Sequence, residues 1–149
     1  MKKLFKIITF TILIYLASFT HSNVVHAAPG DGTQEFAAAY FNNTSLSGTP
    51  VLSRTESEIN HTWELNSPGV PVNADNFSTR WTTTANFSAG TYQFTVTADD
   101  GVRLFIDDVL VLDKWIDQPP TTYQVTKTLS EGNHTIRMEY YERYVGATA

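Results

Sequence analysis

Two adjacent carboxylates, Asp99 and Asp100, stand before Gly101 and are the residues best placed to do chemistry in this chain. They directly follow a run that alternates like a strand, so a loop at the strand end presents both. Calcium and similar hard cations take oxygen ligands, and paired carboxylates suit them. The same tripeptide also serves as an ordinary turn in which Asp and Gly answer only to backbone geometry. Residue type alone favours that turn. A second candidate is Asp113-Lys114-Trp115-Ile116-Asp117-Gln118, which joins an aromatic face to hydrogen-bonding side chains. Small polar ligands are held by such faces plus a few placed polar groups, which makes Trp115, Asp117 and Gln118 candidate sugar contacts. A core tryptophan at the base of a loop explains the residue type equally well.

Other chemistries find little material. The sequence has no cysteine, and only His61 and His134 follow the first 27 residues. That is a poor ligand set for zinc. It also leaves nucleophilic catalysis without a thiol, and no Gly-x-Ser-x-Gly elbow is present. No spacing of Asp and Glu singles out a glycosidase pair. The formal net charge is −5, and no basic cluster follows residue 6. A nucleic-acid partner, which needs a basic stripe, is therefore not expected.

The N-terminus reads as a signal peptide over residues 1–27. Lys2, Lys3 and Lys6 form its positive end, Ile7 to Ala17 its apolar stretch, and Val25 and Ala27 the small-residue cleavage site. The apolar run is shorter than the roughly 20 residues of a membrane span, so no stable span is expected after cleavage. The mature chain would carry 7 Lys+Arg against 15 Asp+Glu, a formal charge of −8. A secreted or cell-surface location follows. Residues 28–34 read as a short linker and 35–149 as one domain.

Almost nothing beyond residue 30 reads as helix. Short runs rich in Thr, Tyr, Phe and Val alternate with Gly, Asn, Asp, Ser and Pro clusters, which predicts an antiparallel sandwich or barrel of many short strands. Thr91 to Ala98 alternates most clearly, with Tyr92, Phe94, Val96 and Ala98 on one face. Val102 to Ile106 and Val109 to Leu112 form a hairpin about Asp107-Asp108. Tyr123 to Leu129 and His134 to Tyr141 form another pair, with Ile136, Met138 and Tyr140 inward. Earlier strands are expected at Glu35 to Phe41 and Phe77 to Thr83. Residues 42–75 read as long loops with brief extended pieces, and Trp63 and Trp81 as core.

Read together, "AAYFNNTSLSGTPVLSRTESEINHTW", "NFSTRWTTTANFSAGTYQFTVTADDGVRLFIDDVLVLDKW" and "EGNHTIRMEYYE" resemble a PA14 domain. The resemblance runs from Glu35 to the C-terminus and implies a β-sandwich or barrel-like module of the kind found in glycosidases, toxins, surface proteins and adhesins. In the sugar-binding members, two adjacent aspartates joined by a cis peptide hold a calcium ion that coordinates sugar hydroxyls, and the matching positions are Asp99 and Asp100. The resemblance also implies a ligand from an Asn in the loop before the last strand. Arg143 stands there instead, and a guanidinium cannot ligate calcium; Glu142 beside it is the carboxylate that substitutes. PA14 domains close with one more strand after the Gly-Ala stretch, and this chain, ending at Gly146-Ala147-Thr148-Ala149, is expected to lack it as a piece of a longer multidomain protein. The expected function is a non-catalytic glycan-binding or adhesion module, with calcium as cofactor and cell-surface glycans as partner. A structural or protein-interaction scaffold and an accessory domain of a glycosidase are the alternatives.

Overall fold

The protein is described by a computed structural model covering residues 34–149 and a two-residue strand, β1 (Tyr15–Leu16). Apart from Tyr15–Leu16, the signal peptide, its cleavage site and nearly all of the linker lie outside the described residues. From Gln34 onward the chain is all-β, with β2 (Phe36–Phe41), β3 (Leu52–Glu56), β4 (Thr62–Glu64), β5 (Phe77–Phe87), β6 (Gly90–Ala98), β7 (Gly101–Ile106), β8 (Val109–Lys114), β9 (Thr121–Leu129), β10 (Gly132–Glu142) and β11 (Ala147–Thr148). Among the described residues no helix is long and apolar enough to cross a membrane.

Two antiparallel sheets face one another. The larger has the order β3-β2-β5-β10-β7-β8 and the smaller β1-β6-β9, while β11 pairs with β4. Alternation drives this arrangement, because a strand with one apolar face must bury that face against another. Phe77, Trp81, Ala85 and Phe87 of β5 point inward beside Ile136, Met138 and Tyr140 of β10 and Val102, Leu104 and Ile106 of β7. Tyr92, Phe94, Val96 and Ala98 of β6 meet them from the other sheet. The β7–β8 turn has Asp107 at φ 51° and Asp108 at φ 60°. Two successive left-handed residues match the right-handed twist of a hairpin, and Asp tolerates them. Asp107 is further fixed by accepting from His134 Nδ1 at 2.6 Å and Thr135 N at 2.9 Å. Both residues are structural.

Residues 42–75 are loops with two brief extended pieces, β3 and β4, as expected. Glu56, at the end of β3, gathers four donors: Tyr40 Oη at 2.5 Å, Arg54 Nε at 2.5 Å, Trp81 Nε1 at 2.6 Å and the His61 Nε2 position at 2.9 Å. The His61 ring lies flat against Trp63 and Trp81, with centroids 4.7 and 5.8 Å away. Trp81 is fully buried, and Trp63 packs half-buried against the same core.

Ala147–Thr148 forms a two-residue strand whose backbone finds partners on both sides. Ala147 pairs with Glu64 and Thr148 with Thr62. Thr148 exchanges two hydrogen bonds with Asp99, at 3.0 and 3.1 Å, and Ala149 exchanges two with His61, at 2.6 and 3.0 Å. Ala147, Thr148 and Ala149 are all buried.

Candidate functional site

Asp99 and Asp100 lie where the chain leaves β6 in one sheet and enters β7 in the other, at one end of the sandwich. Pairing of β7 with β10 sets Gly101 opposite Tyr141 and Val102 opposite Tyr140. That register brings the next residue of β10, Glu142, across from Asp100. Glu142 follows the inward parity of Ile136, Met138 and Tyr140, so its side chain enters the sandwich end rather than solvent. The result is a cluster in which one carboxylate oxygen each from Asp99, Asp100 and Glu142 lie within 4.8 Å of one another.

The three carboxylates are held differently. Asp100 is buried, and both its oxygens accept backbone hydrogens: Oδ1 from Gln118 N at 3.1 Å and Oδ2 from Arg143 N at 2.9 Å. Its carbonyl accepts from Gln118 Nε2 at 2.9 Å. Asp99 is fixed through its backbone, by Thr148 on one side and by Tyr140, whose hydroxyl donates to the Asp99 carbonyl at 2.5 Å. The Asp99–Asp100 peptide is cis, as the resemblance implied. Glu142 is fully buried; its Oε2 lies 3.2 Å from the Tyr140 hydroxyl and its Oε1 has no hydrogen-bond partner.

Two of the three carboxylates are shifted in their titration. Burial and the charge of Asp100 push Asp99 up to about 6. Burial, then Asp100 and Asp99, push Glu142 up to about 8, against a smaller lowering by the Tyr140 hydroxyl. An acid whose pKa is higher folded than unfolded binds protons preferentially in the native state, so its contribution to stability falls as pH rises between the two values. For Glu142 that window runs from 4.5 to about 8, and for Asp99 from 3.8 to about 6. The metal-free chain is therefore expected to melt at a lower temperature at pH 8 than at pH 5, as scanning calorimetry in a chelator would record.

The donor set fits a hard cation. All three side chains offer oxygen, and the orphaned Glu142 Oε1 is a buried acceptor, which native structures rarely leave unfilled. Glu142 stands within the cluster. Arg143 itself turns its guanidinium away, pairing with Asp117 at 3.0 Å, and contributes only its backbone N–H to Asp100.

Trp115, Asp117 and Gln118 surround this cluster, and each has partners within the chain. The Arg103 guanidinium covers the Trp115 face at 4.2 Å, and the Tyr141 ring meets it edge-on at 4.8 Å. Asp117 accepts from Tyr141 Oη at 2.5 Å as well as from Arg143. Gln118 bridges Asp100 and the Tyr123 hydroxyl. Tyr141 is central to this frame and packs against Gly101, where an added Cβ would fall inside its ring. Gly101→Ala is expected to displace Tyr141 and cost about 1–3 kcal/mol, the usual penalty of overpacking, measurable by urea unfolding.

A family model for the PA14 domain matches residues 31–149. The chain belongs to the PA14 domain family. The anti-sigma-I factor RsgI3 of Acetivibrio thermocellus is 35% identical over 113 residues, covering 74% of this chain and 17% of that protein. A solved anti-sigma factor domain-containing protein from Clostridium clariflavum is 29% identical with a TM-score of 0.70, over 77% of this chain and 40% of that one. The PA14 domain of the MpAFP antifreeze protein shares the fold at a TM-score of 0.62 and 18% identity, over 76% of this chain and 77% of that one. This PA14 domain thus spans well under half the length of the anti-sigma factor relatives.

Proposed function

We propose that this PA14 domain is a non-catalytic, exported or surface-displayed glycan-binding module, in which Asp99, Asp100 and Glu142 hold a calcium ion. The observation that carries the reading is the cluster itself: three carboxylates converge with a buried oxygen left unpartnered. Calcium there would neutralise charges that otherwise repel and would offer open coordination positions to sugar hydroxyls. The signal-peptide pattern of residues 1–27 supports export. A non-catalytic role is supported by the use of both described histidines in structure, His61 on Glu56 and His134 on Asp107.

Among possible parents, identity of 35% over 113 residues to an anti-sigma-I factor favours an anti-sigma factor-like protein over a glycosidase. Fold likeness alone would not decide that, because one fold hosts many functions. The test is a glycan array probed with the labelled full chain in calcium and again in chelator. Signals on a related set of glycans that vanish in chelator are expected. An array blank in both, for a chain that is folded and binds calcium, would leave the scaffold reading in its place.

A further inference from the structure

β6 and β9 carry nearly the same heptad: Thr91 to Thr97 reads TYQFTVT and Thr122 to Thr128 reads TYQVTKT. They pair antiparallel, with Thr91 opposite Thr128, Phe94 opposite Val125 and Thr97 opposite Thr122. Inside the domain, β6 is therefore bound to a near copy of itself in a two-fold register. Its outward rows match Thr with Thr at both ends, hydroxyls 3.0 and 2.8 Å apart, and Gln with Thr between them.

The other side of β6 is an edge. Among the described residues it pairs only with Tyr15–Leu16, at Gln93 and Tyr92, and β11 reaches the chain there only at Asp99. Tyr15 and Leu16 fall in the segment read as a signal peptide, so on that reading export leaves Gly90–Ala98 uncovered. Sheet edges are normally blunted by charge, proline or a bulge. β3 has Arg54 and Glu56, and β8 is paired through a bulge at Leu104/Phe105. β9 carries Lys127, which shares the inward parity of its partner Tyr92. β6 has Val96 at the matching heptad position, and Gly90–Ala98 holds neither charge nor proline.

We infer that this edge of β6 binds β6 of a second copy of the chain, antiparallel and centred on Phe94, so that two small sheets become one. The heptad is self-complementary, as its pairing with β9 demonstrates. Thr91 then faces the second copy's Thr97 and Gln93 its Thr95, the same rows that β6 makes with β9. Such an interface is isologous, each contact occurring twice about a two-fold axis. Main-chain hydrogen bonds supply its affinity, as in other strand additions. Thr95 Oγ1, buried without a hydrogen-bond partner within the chain, stands opposite the second copy's Gln93 in this register.

The test uses the chain as a secreting host releases it, sedimented across a concentration series. A monomer–dimer equilibrium is expected, and amides of Gly90–Ala98 should exchange more slowly in the dimer. Gln93→Lys/Thr95→Lys sets like charges directly opposite one another on the outward face, and is expected to weaken the dimer by about tenfold or more. Mixing that variant with Gln93→Glu/Thr95→Glu should restore pairing as a heterodimer. A parent that stays monomeric overturns the inference. So does a dimer that the paired lysines leave as tight, or one whose exchange protection lies away from β6. Should the lysine variant unfold, the exchange pattern of the parent decides alone.

Discussion

An Asp99→Asn replacement is expected to lower calcium affinity by about tenfold or more and, in the same protein, to raise the melting temperature of the metal-free chain at pH 8. Both effects have one cause. Three carboxylates meet within 4.8 Å, and among the described residues no Lys or Arg pairs with any of them. Burial first, and then the like charges so close by, favour protonation, which is why Asp99 and Glu142 are pushed up. Removing the Asp99 charge relieves that repulsion and leaves both backbone hydrogen bonds to Asp100 in place. It also removes one of the three carboxylates, and calcium affinity follows ligand charge. A site needed only for the Asp-Gly turn would behave otherwise, because Asn serves a turn nearly as well as Asp. Calcium calorimetry and thermal melts in chelator, on the same preparations, read both arms.

Glu56→Ala is expected to be the most damaging single change outside the site. Burial raises the pKa of Glu56, yet hydrogen bonds from His61, Tyr40, Trp81 and Arg54 outweigh it and hold the carboxyl at about 2. Removing the acceptor strands four donors, three of them on rings packed in the core. Breaking a buried charge pair from one side costs about 3–5 kcal/mol, and the partial exposure of Arg54 brings the expectation toward the lower end. The pH signature is opposite to that of the cation site. A depressed carboxylate supports the fold above its unfolded value and loses that support as pH falls from 4.5 toward 2. Urea unfolding should show the loss, with Glu56→Gln intermediate because an amide keeps one acceptor oxygen. A Glu56→Ala protein as stable as the parent would mean that the hub adds nothing to stability.

The sequence revealed the strands whose periodicity is long enough to see. Thr91 to Ala98 is found as β6 at Gly90–Ala98, and the inward set Ile136, Met138 and Tyr140 lies where alternation puts it. Asp99-Asp100 was legible because a paired acid ends a clear strand, and Trp81 because a large apolar residue sits in an alternating run. Less was visible in residues 42–75. β4 has three residues and β11 two, so neither shows a period, and both exist because long-range backbone pairing with each other and with Asp99 stabilises them. Nothing local marks Glu56 as a hub either, since its donors come from β2, β3, β5 and the segment before β4.

The most direct measurement is a calorimetric titration of calcium into the full chain at pH 7.5, after exhaustive chelation and exchange. One site per chain is predicted, with protons released on binding because Glu142 must give up its proton to ligate. The heat should therefore change with the ionisation enthalpy of the buffer. A well-folded chain that gives no heat with calcium, and whose melting temperature calcium does not raise, would contradict the assignment of Asp99, Asp100 and Glu142 as a cation site.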